Sequence, residues 1–159
     1  MLFDKIFRGI KNLIAWAPVI WGDRDWDWAY LFEIISFKSR KMARSFRESG
    51  LSTSADDIAN ELEELADAID RYIADDYLDE TLRSISFEEH FGDISMGFEP
   101  IENGLYQYTG PEFSKVNSPG RQEAAERVYR IARYISEIKR QEDKERIISL
   151  LKGFEQWWD

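Results

Sequence analysis

Apolar residues recur at intervals of three and four along most of the chain, the repeat of a helix that buries one face. Phe3, Ile6, Phe7, Ile10, Leu13 and Ile14 form the first stripe, with Asp4, Lys5, Arg8, Lys11 and Asn12 on the other side. They predict a short amphipathic helix ending before Pro18, because proline has no amide hydrogen to give a helix interior. Trp28, Leu31, Phe32, Ile35, Ser39, Met42 and Phe46 form a second stripe, in a helix expected from about Trp26 to Ser49 and stopped at Gly50. A third helix is expected from near Ser54 through Ile58, Leu62, Leu65, Ile69, Tyr72 and Ile73. The Gly50–Thr53 connection is short, so these two helices should form an antiparallel hairpin. The acids Asp56, Asp57, Glu61, Glu63, Glu64, Asp67 and Asp70 would then lie beside Lys38, Arg40, Lys41, Arg44 and Arg47.

Beyond Asp75 the pattern shortens. Asp75–Ile85 reads as a turn and short helix, and Ser86-x-x-Glu89 has the form of a capping box opening another, stopped by Gly92. From Asp93 to Gly120 helical periodicity disappears among glycines and prolines; Leu105–Thr109 and Ile94–Glu99 could pair as a small hairpin. Tyr106, Tyr108, Phe98 and Phe113 suggest that this segment packs over something. A fourth helix is expected over Arg121–Arg140, with a core stripe of Ala124, Val128, Ile131, Ala132, Ile135 and Ile138. A break near Gln141–Asp143, capped by Asp143, would precede a last helix using Ile147, Leu150, Leu151, Phe154, Trp157 and Trp158. The fold class expected is mainly α: one domain over 1–159, a bundle of four to five helices with a long irregular insertion at about 93–120.

Length and composition narrow the function. A chain of 159 residues can bury a substantial core, and 14% aromatic content is rich. With no cysteine, disulfides and thiolate chemistry are excluded, which fits a cytoplasmic setting. No apolar run approaches the length of a membrane span, and no leader is expected at the N-terminus. An amphipathic first helix can lie on a membrane surface. Its modest positive charge and its run into the tryptophan cluster favour packing onto the bundle instead, so no membrane partner is expected. The net charge of −10 argues against sequence-independent binding to nucleic acid, whose phosphates demand a positive surface.

The densest chemistry lies in Trp21-Gly22-Asp23-Arg24-Asp25-Trp26-Asp27-Trp28. Asp25 suits the N-cap of the second helix and Asp27 its first turn, where the helix dipole favours acids. Arg24 sits between acids and is expected to be substantially buried in a guanidinium–carboxylate pair. The tryptophans then belong to the core, with Trp157 and Trp158 closing it from the other end. In the competing reading, Trp21, Asp23, Arg24, Asp25, Trp26 and Asp27 line a binding site. The Asp-x-Asp-x-Asp alternation lacks the glycine and the terminal glutamate of a calcium loop. One histidine, His90, cannot make a two-histidine zinc site, and no resident metal is expected.

The Trp-Gly-Asp-Arg-Asp-Trp-Asp-Trp segment, followed by Tyr30-Leu31 and Phe37-Lys38-Ser39-Arg40-Lys41-Met42, resembles a family of uncharacterised bacteriophage proteins. That family pairs a Trp-x-Asp-Arg-Asp-Trp-Asp motif with a later Glu-x-His segment and a Trp-Trp-Asp carboxyl terminus. Here these are Glu88-Glu89-His90-Phe91-Gly92 and Trp157-Trp158-Asp159. The resemblance leaves out Asp93–Ser118 and implies a phage source rather than an activity. It adds Glu89, His90, Trp157 and Trp158 to the binding candidates.

Two function classes follow. The favoured one is a non-enzymatic phage accessory protein in the host cytoplasm that binds a host or phage protein, inhibition of a host defence component being one version. The alternative is a magnesium-dependent all-α nucleotide pyrophosphohydrolase. Glu61, Glu64 and Asp67 fall at successive three-residue steps and look like the Glu-x-x-Glu and Glu-x-x-Asp pattern of that family, although they are contiguous and no clear second pair appears.

Overall fold

The structure is a computed structural model of the chain and describes residues 2–22, 27–49 and 54–155. Among these the fold is mainly α, as expected. Six helices, α1 (Leu2–Ile20), α2 (Trp28–Ser49), α3 (Ala55–Ala74), α4 (Tyr77–Ser84), α5 (Phe87–Phe91) and α6 (Pro119–Lys152), accompany one hairpin, β1 (Ile94–Pro100) and β2 (Tyr106–Phe113). Contacts divide the chain into two compact units, Met1–Ala74 with Asp143–Asp159, and Asp75–Glu142.

The first unit is built on α2 and α3. Asp27 precedes α2, and its Oδ1 accepts the Ala29 amide at 3.0 Å. This satisfies one of the donors that a helix start leaves without a partner. The cap is therefore Asp27, in place of the Asp25 expected, because α2 begins two residues later than its pattern suggests. Asp23, Arg24, Asp25 and Trp26 lie outside the described residues, and so does the expected burial of Arg24. Small residues on both helices, Ser36, Ser39 and Ala43 on α2 and Ala59 and Ala66 on α3, are buried along the seam. They let the backbones approach closely enough for Ser36 Oγ to donate to Asp70 Oδ1 at 2.6 Å.

Leu62, Leu65 and Ile69 fill the core beside them, with Ile147 and Leu150 of α6. Arg40 bonds Asp67 (2.8 Å) and Asp70, Arg47 bonds Glu63 (Oε2, 2.8 Å) and Asn60, and Trp28 meets Tyr72. As numbers rise on α2 they fall on α3. The helices are antiparallel, and the basic end of one lies beside the acidic start of the other.

α1 departs from expectation. It continues past Pro18 to Ile20, and Pro18 withholds a bond only from the carbonyl of Ile14, an exposed residue that water can reach. Its contact with α2 uses Trp16 against Phe37, ring centroids 4.7 Å apart, and Asn12 Oδ1 accepting Lys41 Nζ at 2.8 Å. Ala15, Trp16 and Val19 are the half-buried residues of this helix. At about 100° per residue they occupy the side opposite Phe3 and Ile10. The strong apolar stripe expected to pack on the bundle therefore faces outward: Phe3 is 85% exposed, Phe7 72% and Leu13 70%.

In the second unit Phe87, Phe113 and Ala125 form a small buried cluster, ringed by Leu82, Phe91, Val116, Val128 and Tyr129. The rings of Phe87 and Phe113 lie 5.5 Å apart. Ser86 does not make the capping box: it adopts φ 51, ψ 39 and its hydroxyl gives no cap bond. Gly92 does stop α5, at φ +82.

α6 opens with proline at its first position, where no amide is needed, and runs unbroken through residues 141–143. Asp143 is not a cap there; it receives Arg71 Nε at 3.0 Å and Nη2 at 2.6 Å. The face α6 buries is also shifted by a residue from the expected stripe. Ala125, Ala132 and Ser136 are buried, while Ile131, Ile135 and Ile138 are exposed. Ala125 is fully buried in the cluster with Phe87 and Phe113.

Candidate interaction surfaces

The hairpin carries an exposed aromatic surface on a paired backbone. β1 and β2 pair antiparallel from Ile94↔Phe113 to Pro100↔Tyr106, with a register shift between Gly97 and Phe98. Alternation sends successive side chains to opposite faces. Counted across the shift, one face carries Ile94, Met96, Phe98, Tyr106, Tyr108 and Phe113, and the other Ser95, Glu99, Gln107 and Glu112. The first face is apolar from end to end.

At its foot that face is core, through Phe113. Towards the tip it is uncovered: Met96 is 64% exposed, Tyr106 69%, and Phe98 and Tyr108, with rings 5.8 Å apart, are both more than half exposed. The foot is pinned. Ser114 N donates to Asp93 O at 3.1 Å, Asp93 N to Ser114 Oγ at 2.9 Å, and Gln122 Nε2 to Pro111 O at 3.3 Å. The tip closes through Ile101 N to Leu105 O, 2.8 Å, over a turn in which Asn103 takes φ 73. A rigid foot and a bare aromatic tip mean that little ordering remains to be done on binding.

Beside the foot, Asp76, Asp79, Glu88, Glu89 and Asp93 line a cleft of about 620 Å³ together with Arg83, Leu82, Phe87 and Ile94. Arg83 stands 4.0 Å from Asp76. Glu89 is in this cleft. His90 is not among its lining residues; its carbonyl accepts Arg121 Nη2 at 2.7 Å and its ring lies edge-on to Phe91. Among the described residues no group of three acids or histidines is arranged to hold a metal ion.

Of the other binding candidates, Trp21 is 91% exposed and Asp27 is occupied as a helix cap. Trp157 and Trp158, and with them the expected closure of the core, lie outside the described residues. Glu64 forms a two-bond pair with Arg146, 2.6 Å on each side, and this hydrogen bonding, ahead of the field of the same guanidinium, holds its carboxyl below the usual glutamate range. Asp67 is bonded by Arg40. Magnesium at Glu61, Glu64 and Asp67 would have to displace two arginines first.

No family model matches the chain, and no curated protein or solved structure matches it significantly.

Proposed function

We propose that the protein is a phage accessory factor acting in the host cytoplasm by binding a host or phage protein, and that the aromatic face of the hairpin is the docking surface. One observation carries this reading: an apolar strand face begins in the core at Phe113 and continues into solvent through Phe98, Tyr106 and Tyr108. Aromatic side chains dominate binding hot spots because they bury large rigid area at small entropic cost. The outer strand edges add unpaired backbone groups to which a partner strand can bond. Small size, acidity and the resemblance to phage proteins support inhibition of a host defence component as the form this binding takes.

The test is affinity capture from infected-host extract with the tagged protein and with a Phe98→Ser, Tyr108→Ser double variant. A discrete partner retained by the first and lost by the second, at unchanged thermal stability, supports the reading. Equal capture by both overturns the assignment to the hairpin.

A further inference from the structure

From the outer face of α6 we infer that two copies of the chain pair through this helix, antiparallel, about a two-fold axis that passes between Tyr134 and Ile135. Ile131, Tyr134, Ile135 and Ile138 recur at three and four residues and are 53%, 66%, 39% and 41% exposed. Ala125, Ala132 and Ser136 mark the side that α6 buries. At about 100° per residue Ile131, Tyr134 and Ile138 point away from that side, and Ile135 stands at the edge of their stripe. All of these residues belong to the second compact unit.

The charges at the two ends of the stripe select its occupant. About one turn before Ile131 the same face carries Arg127, and about one turn after Ile138 it carries Glu142, both exposed. A cation at one end and an anion at the other make the face complementary to itself once it is turned end for end. In that register Ile131 lies opposite Ile138 of the second copy, Tyr134 opposite Ile135, and Arg127 opposite Glu142. The two-fold axis makes each of these contacts twice. On one border of the face, Arg130 comes within about 3 Å along the axis of Glu137 of the second copy, so the long side chains can meet. A parallel pairing would instead set Arg127 against Arg127 and Glu142 against Glu142.

The apolar contact spans about two turns, less than a permanent interface needs, so the copies associate weakly and reversibly. This pairing goes beyond the proposed docking function of the hairpin and is tested without the hairpin's partner.

The full chain is taken through sedimentation equilibrium over a wide range of concentration. We expect a reversible equilibrium between monomer and dimer. Tyr134→Ser with Ile138→Ser, both exposed and so tolerable for folding, should raise the dimer dissociation constant by about tenfold or more. Arg127→Glu or Glu142→Arg alone should weaken the dimer, and the two together, which exchange the charges, should restore it. Phe7→Ser with Leu13→Ser, equally bare residues on α1, should change nothing. Circular dichroism checks that each variant keeps its helix content. The chain has no cysteine of its own, so the register can be read directly. Arg127→Cys and Glu142→Cys proteins are mixed and oxidised, and a disulfide between positions 127 and 142 should form in preference to one between two copies of position 127. The inference is overturned by a monomer at every concentration, by a dimer indifferent to the α6 variants, by a dimer that the α1 variant dissolves, or by a preferred link from 127 to 127.

Discussion

Asp27 and Gly92 show how single residues fix the frame on which the exposed surfaces are carried. Asp27 supplies the acceptor for a first-turn amide of α2. Removing it by Asp27→Ala leaves that donor to water and should cost about 1 kcal/mol in urea denaturation, with little change in the slope. A change near zero would mean that the cap contributes nothing. Gly92 sits at φ +82, and a Cβ there would fall 2.7 Å from the Lys115 amide nitrogen and collide with the Ser114 hydroxyl. Strained backbone and steric conflict act together, so Gly92→Ala should destabilise by more than the roughly 1 kcal/mol of an ordinary glycine-to-alanine mismatch. Because Ser114 and Lys115 follow β2 directly, exchange of the amides at the hairpin foot should quicken first in that variant. At this scale the sequence was partly legible. That an aspartate caps α2 follows from composition near the helix start, but which aspartate depends on where the first turn forms. Ser86 has the right spacing for a capping box, yet it takes a left-handed conformation and its hydroxyl makes no cap bond.

Elements were readable wherever one face alone is buried. The α2–α3 pairing follows from a short connection and from opposite charges at facing positions, and the ion pairs realise it. These pairs are exposed and contribute little each; the core beneath them does the holding. Leu62 is completely buried between these helices, and Leu62→Ala should cost roughly 2–5 kcal/mol by lost burial and the cavity left behind, read from chemical denaturation. A loss under 1 kcal/mol would show that the site collapses or that the helices are not packed as described. α1 and α6 misled the pattern for the same physical reason. Periodicity reports that a helix has an apolar face, not what covers it. On α1 the face that packs is the one with Asn12, Ala15, Trp16 and Val19, and on α6 it is the one with Ala125, Ala132 and Ser136. On α6 small residues hold the contact because they let neighbours come close, and hydrophobicity alone ranks them below the isoleucines; on α1 a single ring contact, Trp16 on Phe37, and the Asn12–Lys41 bond hold it. In the hairpin, alternation marked the strands, and glycines at 97 and 110 meet at the register shift. Nothing in the pattern told that the aromatic face would leave the core halfway along.

Taken as a whole molecule, the chain spends its charge on itself and leaves its apolar faces bare. Acids of α3 are matched to Arg40, Arg47 and Arg146, which accounts for part of the surplus that would otherwise face outward. Large exposed side chains are most concentrated on α1 and on the hairpin, with a further set on α6 that includes Ile131, Tyr134 and Ile138, and exposed apolar patches of this kind mark interaction sites. Composition points to a binder through aromatic richness and acidity, and places the site in the tryptophan–aspartate stretch, of which Asp23, Arg24, Asp25 and Trp26 lie outside the described residues. In the sequence Phe98, Tyr106, Tyr108 and Phe113 read alike as packing residues; in the fold Phe113 is buried and the other three are more than half exposed. The most direct test of the hairpin as docking surface is site-specific photo-crosslinking. A benzophenone side chain is placed at Tyr108 in one protein and at Gln107, its neighbour on the polar face, in another, and both are irradiated in host extract. A single covalent adduct from position 108 and none from 107 is the expected result. Equal adducts from both positions, or none from either, would contradict the account.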